Sequence, residues 1–250
     1  MSKIPLEQER NSHEEWLPPW TLLEHEARYV FGSKYVTGKH VVDCACGCGI
    51  GSKFFLTAEP ASFHGFDSEP QAVEHARNTL GPSGQEFKVA DALDLPLSDV
   101  CMDVFISLET LEHIQDDASF VKEAARILKP GGLLICSTPN RWVTNPGTDI
   151  GDRPWNQFHV REYTPDELRA LLEPHFIVTQ AFGQNPNSDQ KVQLMRRVAA
   201  IFGPRMAVRI NQLWKCRWFL FKRPSHHSVV PAENDLHYEY TVLLCHKKAS

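Results

Sequence analysis

Val41-Val42-Asp43-Cys44-Ala45-Cys46-Gly47-Cys48-Gly49-Ile50-Gly51-Ser52 decides how the rest of the chain is read. A short apolar run ends at Asp43, small residues alternate, and glycines at 47, 49 and 51 lead into a helical stretch. Glycines at such a place let a chain leaving a strand turn sharply and approach a ligand with its backbone. The helix start that follows offers N–H groups without intrahelical partners. Asp43 stands where its carboxylate can accept hydrogen bonds from a cationic amine. A glycine turn is shared by several nucleotide-binding sites, so its neighbours must choose among them.

A second apolar run, Ala61 to Phe66, ends at Asp67, where a carboxylate can accept both hydroxyls of a ribose. An acid about twenty residues past a glycine turn is common to nicotinamide enzymes as well. The third element, Val89-Ala90-Asp91-Ala92, is not typical of them, and it supplies an acceptor for the exocyclic amine of adenine. A fourth run, Asp103 to Ser107, leads into Leu108-Glu109-Thr110-Leu111-Glu112-His113, and Lys129-Pro130-Gly131-Gly132 precedes the run Leu133 to Ser137.

In this order, VVDCACGCG, GFDSE, VADAL, DVFISLETLEHI and LKPGGLLICSTPN resemble the class I S-adenosylmethionine-dependent methyltransferases, over roughly residues 25 to 183. The resemblance implies an α/β fold: a Rossmann-like, mostly parallel sheet of seven strands with an antiparallel last strand and helices on both faces. It also implies S-adenosylmethionine as cofactor, held by Asp43, Ala45, Gly47, Gly49, Asp67, Ser68, Asp91, Ala92 and Leu108. Ala45 departs from the pattern, since the family more often carries its first glycine there. In relatives with a similar H-x-x-R-Y stretch, as in His25 to Tyr29, the helix before the turn borders the cofactor. Arg28 is then a partner for the methionine carboxylate, or else a surface arginine on a packing helix.

Composition places the chain among ordinary globular proteins: 250 residues, 42% hydrophobic and 23% charged. No apolar run reaches transmembrane length, and the start MSKIPLEQERNSHEEW lacks the apolar stretch of a signal peptide. Seven cysteines, an odd number set mostly in strand-like context, read as reduced thiols of a cytoplasmic protein. Cys44, Cys46 and Cys48 lie in a strand-to-helix turn that throws alternate side chains apart, which argues against zinc. The formal charge of −5 hides a segregation. Between Lys191 and Arg223 stand nine Lys or Arg and no Asp or Glu, leaving 17 basic against 31 acidic residues elsewhere, a balance of −14.

Three regions follow. Residues 1–35 form an N-terminal arm, polar to about residue 24 and carrying Trp16, Pro18, Pro19 and Trp20, then a helix over 24–31 with Ala27, Val30 and Phe31 inward. Residues 36–184 with 235–250 form the cofactor domain. In it, Ser68 and Gln71 suggest a capping box, helices are expected over about 118–129 and 165–173, and strands over 176–182 and 236–246. Residues 185–234 form a basic helical insertion broken at Gly203-Pro204. In its second helix Met206, Ile210, Leu213, Trp214, Trp218 and Phe221 keep helical spacing, with Arg205, Arg209, Lys215, Arg217 and Lys222 as charges. It reads either as a helix packed on the sheet with a solvated basic face, or as a lid or a surface for an anionic acceptor or membrane headgroups.

Methyl transfer from a sulfonium is displacement at carbon, and a hydroxyl acceptor near neutral pH needs a base or a metal. His113 and His159 are the catalytic candidates, because both lie where ligands bind in open sheets. His226-His227 reads as a solvated pair. Glu109, Glu112 and His113, spaced i, i+3, i+4, would share one face of a helical turn, with His159 closing the set. The stretch resembles the E-x-x-E-H metal site of small-RNA 2′-O-methyltransferases and ubiquinone-pathway O-methyltransferases, which implies Mg²⁺ or Mn²⁺ as an alternative role for these four residues. The expected activity is O-methylation of a small or glycan-like acceptor, anionic or lipid-linked, with nucleic acid disfavoured. N- or carboxyl-methylation and a non-catalytic cofactor-binding regulatory module stay open.

Overall fold

The computed structural model describes residues 19–81, 85–219 and 227–249, with backbone alone at 19–20 and 214–219. Trp16, Pro18, Phe221, Lys222 and His226 lie outside the described residues, as do the side chains of Trp20, Trp214, Lys215, Cys216, Arg217 and Trp218. The first helix, α1 (Pro19–Ser33), begins earlier than the expected residue 24. Proline suits a helix start because its missing N–H has no partner to lose there. Val30 is 45% exposed, against the expectation, and the inward face is carried by Phe31 with the polar Glu24 and Arg28.

Strand β1 (His40–Cys44) leads through the glycine turn to α2 (Ser52–Thr57), then β2 (Ser62–Asp67), α3 (Pro70–Leu80), β3 (Glu86–Val89) and β4 (Met102–Leu108). The capping expectation at Ser68 is corrected. Glu69 is the N-cap, accepting from the Gln71 N–H at 3.3 Å, with Pro70 opening the helix. Ser68 is left to face the cleft described below. A 3-10 turn (Leu111–His113) precedes α4 (Asp117–Ile127), β5 (Leu128–Pro139) and the short α5 (Arg141–Thr144). Helix α6 (Pro165–Leu172) carries the expected capping box of Thr164 and Glu167. Then come β6 (Phe176–Ser188), α7 (Asp189–Phe202), α8 (Pro204–Phe219), β7 (Val230–Pro231) and β8 (Leu236–Lys247).

The strands form one sheet in the order β3-β2-β1-β4-β5-β8-β6-β7. The five on the β3 side run parallel, and β8 inserts antiparallel between β5 and β6. Eight strands replace the expected seven. The polar run Gln184 to Ser188 extends β6 past Phe182, and the returning chain at Val230 pairs on its outer edge. Both faces of the sheet are covered, so neighbouring strand residues serve different cores. Val42, Phe105, Leu134 and Cys136 pack with Phe120, Ala124 and Leu168 on one side. Val41, Val104, Ile106 and Ile135 pack with Phe31, Phe55 and Val73 on the other. Cys44 and Cys46 are divided the same way between the two cores, which separates the thiols as the sequence implied.

Strand order reverses between β1 and β4, so their carboxyl ends open a crevice. The aspartates and the E-x-x-E-H stretch lie at that end. Among the described residues, no helix is long and apolar enough to cross a membrane.

Candidate active site

A cleft of about 810 Å³ opens over the carboxyl ends of the first four strands. Its floor is the glycine turn, where Ala45 adopts φ 65°, Gly47 φ 53° and Gly49 φ 79°. Gly49 is required twice, since a Cβ there would also meet Leu80 at 2.9 Å and Ala76 at 3.2 Å. Gly51 is required by packing: a Cβ would stand 2.0 Å from the ring of Tyr29, which helix α1 lays across the turn. The turn is pinned by Asp67, whose two oxygens accept from the N–H groups of Gly47 and Glu69 at 2.9 Å each. Asp91 holds its own loop through the Leu93 N–H at 2.9 Å.

Of the residues expected to bind cofactor, Ala45, Gly47, Asp67, Ser68, Asp91, Ala92 and Leu108 line the cleft. Asp43, Gly49 and Arg28 lie behind its wall. Asp43, 2% exposed, accepts from Ser52 Oγ at 2.9 Å. Burial pushes its carboxyl up to about 7, the Ser52 bond opposes that, and the charge of Asp67 adds to it. Such a carboxyl is ready to ionise when a cation approaches.

Arg28 is 1% exposed, which excludes the surface-arginine reading. Its guanidinium lies 4.3 Å from the centre of the Tyr240 ring and 3.8 Å from a Glu109 oxygen, and Nη1 donates to Gln184. Burial opposes its charge, and the carboxylates of Glu109 and Glu24 with the Tyr240 ring outweigh that. Nη2 is buried with no hydrogen-bond partner among the described residues. Beside it His25 is pushed down to about 3 by burial and by the Arg28 charge. His227, expected in solvent, instead lies 3.8 Å from Glu24 and is mostly buried, which corrects that expectation.

The opposite end of the cleft is acidic and imidazole-rich. His113 and His159 meet with ring centres 4.9 Å apart. His113 Nδ1 lies 3.1 Å from the Phe158 carbonyl, an acceptor only, so that nitrogen carries the proton. His159 Nδ1 faces Glu162 Oε1 at 2.7 Å, and its Nε2 faces Asn156 Nδ2 at 2.9 Å. Asn156 Oδ1 accepts from the Phe158 N–H at 3.1 Å, which leaves its amide nitrogen to donate to His159. The network therefore fixes His159 with its proton on Nδ1 and its basic lone pair on Nε2. Glu162 is held in turn by Asn145 Nδ2 at 2.6 Å and by the Thr144 hydroxyl.

The single helical face expected for Glu109, Glu112 and His113 is not formed. The turn covers only Leu111–His113, and Glu109 at φ 56° precedes it. Glu109 accepts from Ser137 Oγ at 2.7 Å and faces Arg28. Glu112, His113 and His159 do gather, with one potential ligand atom from each within 4.8 Å of the others. Burial raises the Glu112 carboxyl well above its ordinary range, and Glu109 and Glu162 add to the rise. Sequence reasoning passed over Glu162, Asn156, Gln184 and Tyr240. The spacings Asn156 to His159 and His159 to Glu162 were visible signals; Gln184 and Tyr240 depend on long-range packing.

The residues present fit S-adenosylmethionine. The one guanidinium nitrogen of Arg28 without a partner among the described residues, Nη2, suits the amino-acid carboxylate, the glycine turn exposes backbone without side chains, and acceptors stand at the ends of β2 and β3. Comparison with known proteins points the same way. Residues 42–136 match the family model described as a methyltransferase domain. A Mycobacterium tuberculosis protein named "Probable S-adenosylmethionine-dependent methyltransferase" is 36% identical over 148 residues, covering 59% of this chain and 52% of its own. O-methyltransferase cnsE of Penicillium expansum is 34% identical over 139 residues, covering 54% of this chain and 50% of its own. The chain thus spans about half the length of these relatives. In structure, the PH0226 protein of Pyrococcus horikoshii superposes with a TM-score of 0.61 at 18% identity, covering 98% of this chain and 96% of that one. The matched residues run from β1 into β5, the strands whose ends build the cleft, and over them the chain is similar to the methyltransferase domain of S-adenosylmethionine-dependent enzymes.

Proposed function

We propose that the chain transfers a methyl group from S-adenosylmethionine to an oxygen of a small or glycan-like acceptor, with His159 as the base. Asp67 and Asp91 would receive the ribose and adenine, the glycine turn the amino-acid portion, Asp43 its amine and Arg28 Nη2 its carboxylate. The bound cofactor supplies an electrophilic methyl group on a sulfonium. The observation that carries the reading is the Glu162–His159–Asn156 chain at the cleft, because it presents an unprotonated Nε2 on a ring that cannot turn. An acceptor hydroxyl taking the place of the Asn156 amide would find its proton acceptor there. Proton removal by a positioned imidazole contributes about 10²–10⁴ in rate. Glu162 would then stabilise the imidazolium that forms.

Glu109, Glu112 and Glu162 crowd this end, so the reacting group itself must be neutral or cationic. An anionic part of the acceptor belongs outside, toward the arginines of α7 and α8. The O-methyltransferase name of one relative supports oxygen as the atom methylated. Incubating the chain and labelled S-adenosylmethionine with extract fractions, then identifying the labelled product, tests this. An alkali-stable ether fits the proposal; a labelled amine or ester overturns it. Cofactor binding without turnover in any fraction would favour a regulatory module.

A second reading is supported by the grouping of Glu112, His113 and His159. These residues would hold Mg²⁺ or Mn²⁺, and the ion would supply positive charge to the acceptor oxygen. Glu162 would then orient a ligand histidine instead of a base. Turnover abolished by EDTA and restored by Mn²⁺ selects this reading, and turnover indifferent to EDTA excludes it.

A further inference from the structure

Helices α7 and α8 form a hairpin with a division of faces that packing on the described residues does not explain. Val192, Met195 and Ala199 of α7 and Ala207 and Val208 of α8 are buried, and they hold the hairpin in place. Opposite them, Leu194 and Ile201, seven apart on α7, are exposed, as are Met206 and Leu213, seven apart on α8. Ile201 is 73% exposed, and Phe202 and Leu213 are 68% exposed. At the tip, Gly203 at φ 86° turns the chain into Pro204, with Ile201 and Phe202 before the turn and Met206 after it. Water is a poor solvent for such a tip, and clustered exposed apolar side chains mark an interaction surface.

The charges say which surface. Arg196, Arg197, Arg205 and Arg209 are exposed on the same hairpin, and no acid occurs in the sequence from Lys191 to Arg223. The remaining chain has a balance of −14. An anionic plane therefore attracts this face and repels the others, which orients the molecule before contact. A second copy docked about a two-fold axis would bring the same arginines against each other. Single-stranded nucleic acid asks for aromatic platforms, and this tip is mainly aliphatic.

We propose that the α7–α8 hairpin docks on the surface of an anionic lipid bilayer, with Ile201, Phe202 and Met206 entering the acyl boundary and the arginines on the headgroups. This is how an amphipathic helix with a cationic face binds an interface without spanning it. Each cation near an anionic leaflet changes partition by about fivefold. The face is tied to the cleft. Asn211 Nδ2 donates to the Val143 carbonyl at 2.9 Å, and the Arg209 guanidinium lies 5.9 Å from the centre of the Trp155 ring. Trp155 adjoins Asn156, which holds His159.

Flotation of the full chain with vesicles tests the proposal without any methyl acceptor. The chain should float with phosphatidylcholine–phosphatidylglycerol vesicles at low salt, stay behind with phosphatidylcholine alone, and be released as salt rises, since exposed charges are screened over about 10 Å at 0.1 M. Ile201→Asp with Phe202→Asp should lower the partition by about tenfold or more with an unchanged melting transition. Arg197→Glu with Arg205→Glu should lower it as well and flatten its salt dependence. Absence of binding to the anionic vesicles at low salt overturns the proposal, as does binding untouched by both double variants. A concentration-dependent dimer that the apolar variant abolishes would give the face to a second copy. Retention of single-stranded RNA in place of vesicles would give it to nucleic acid.

Discussion

Glu162 Oε1 lies 2.7 Å from His159 Nδ1, and the pair sits one α-helical turn's length apart in a segment that is not a helix. The loop from Asn156 to Glu162 is shaped by the backbone of Glu112, whose carbonyl accepts from the Val160 N–H at 2.7 Å. The E-x-x-E-H stretch after β4 therefore sets the conformation of the loop after β5. A carboxylate 2% exposed is costly to bury unless its lone pairs are filled, and Glu162 receives bonds from His159, Asn145 and Thr144. The arrangement spends buried polar groups on orienting one imidazole.

Glu162→Gln should lower kcat by about 10- to 100-fold while leaving cofactor affinity unchanged, the order of loss that follows removal of a group orienting a metal-bound histidine. The amide cannot accept every bond the carboxylate accepts, and a loss of about 1–3 kcal/mol in stability should accompany it. The downfield proton signal of His159 Nδ1 reports orientation apart from stability. It should broaden or move in this variant, and a retained signal with full kcat would remove Glu162 from the mechanism.

Asp43 gives a pH dependence with a definite sign. Its carboxyl is raised from 3.8 to about 7, so the folded chain without ligand holds the proton more tightly than the unfolded chain does. Its contribution is therefore destabilising as pH rises from about 4 and levels off above about 7. A cationic amine favours the ionised form, so cofactor affinity should rise through pH 7 until the amine itself loses its proton near pH 7.7–8.0. Calorimetry from pH 6 to 8 should show the rise in the native chain and a flat, weaker profile in Asp43→Asn. Parallel profiles would place the amine elsewhere.

The strand ends were legible because they combine two independent signals: an apolar run fixing the strand and an acid ending it. Asp43, Asp67 and Asp91 stand within two residues of the ends of β1, β2 and β3, as that pattern put them. The spacing of Glu109, Glu112 and His113 misled because a periodicity says nothing about φ. One residue at 56° breaks the helical face and sends Glu109 to Arg28. Gln184 escaped notice because it is a polar residue inside a strand, 156 positions from the arginine it holds. The extension of β6 was hidden for the same reason, since Gln184-Asn185-Pro186-Asn187 reads as loop and becomes strand only against β8.

Ala45 tests the departure from the family's glycine pattern. At φ 65° an alanine carries a Cβ penalty that glycine lacks, about 1–2 kcal/mol, against about 0.4–1 kcal/mol for the greater freedom of an unfolded glycine. Ala45→Gly should raise unfolding free energy by up to about 1 kcal/mol with cofactor affinity kept or improved. Ala45→Val should destabilise strongly, because a β-branched residue fits that conformation least. Urea melts of the two variants decide; a destabilised glycine variant would mean the alanine methyl makes contacts worth more than its strain.

Arg28 separates recognition of the amino-acid tail from recognition of the nucleoside. Its Nη2 is buried and has no partner among the described residues, while Nε and Nη1 already face Glu109 and Gln184. Arg28→Lys keeps a positive charge against Glu109 and so avoids stranding a buried carboxylate, yet it cannot present two directed donors at once. Losing one charge-assisted bond of about 1.5–3 kcal/mol should weaken S-adenosylhomocysteine by about 10- to 150-fold. Methylthioadenosine lacks the carboxylate and should bind native and variant chains alike. Equal losses for both ligands would show that Arg28 shapes the whole cleft through helix α1. Loss for neither would place the carboxylate away from Arg28 and leave that guanidinium as a strut between α1 and β6.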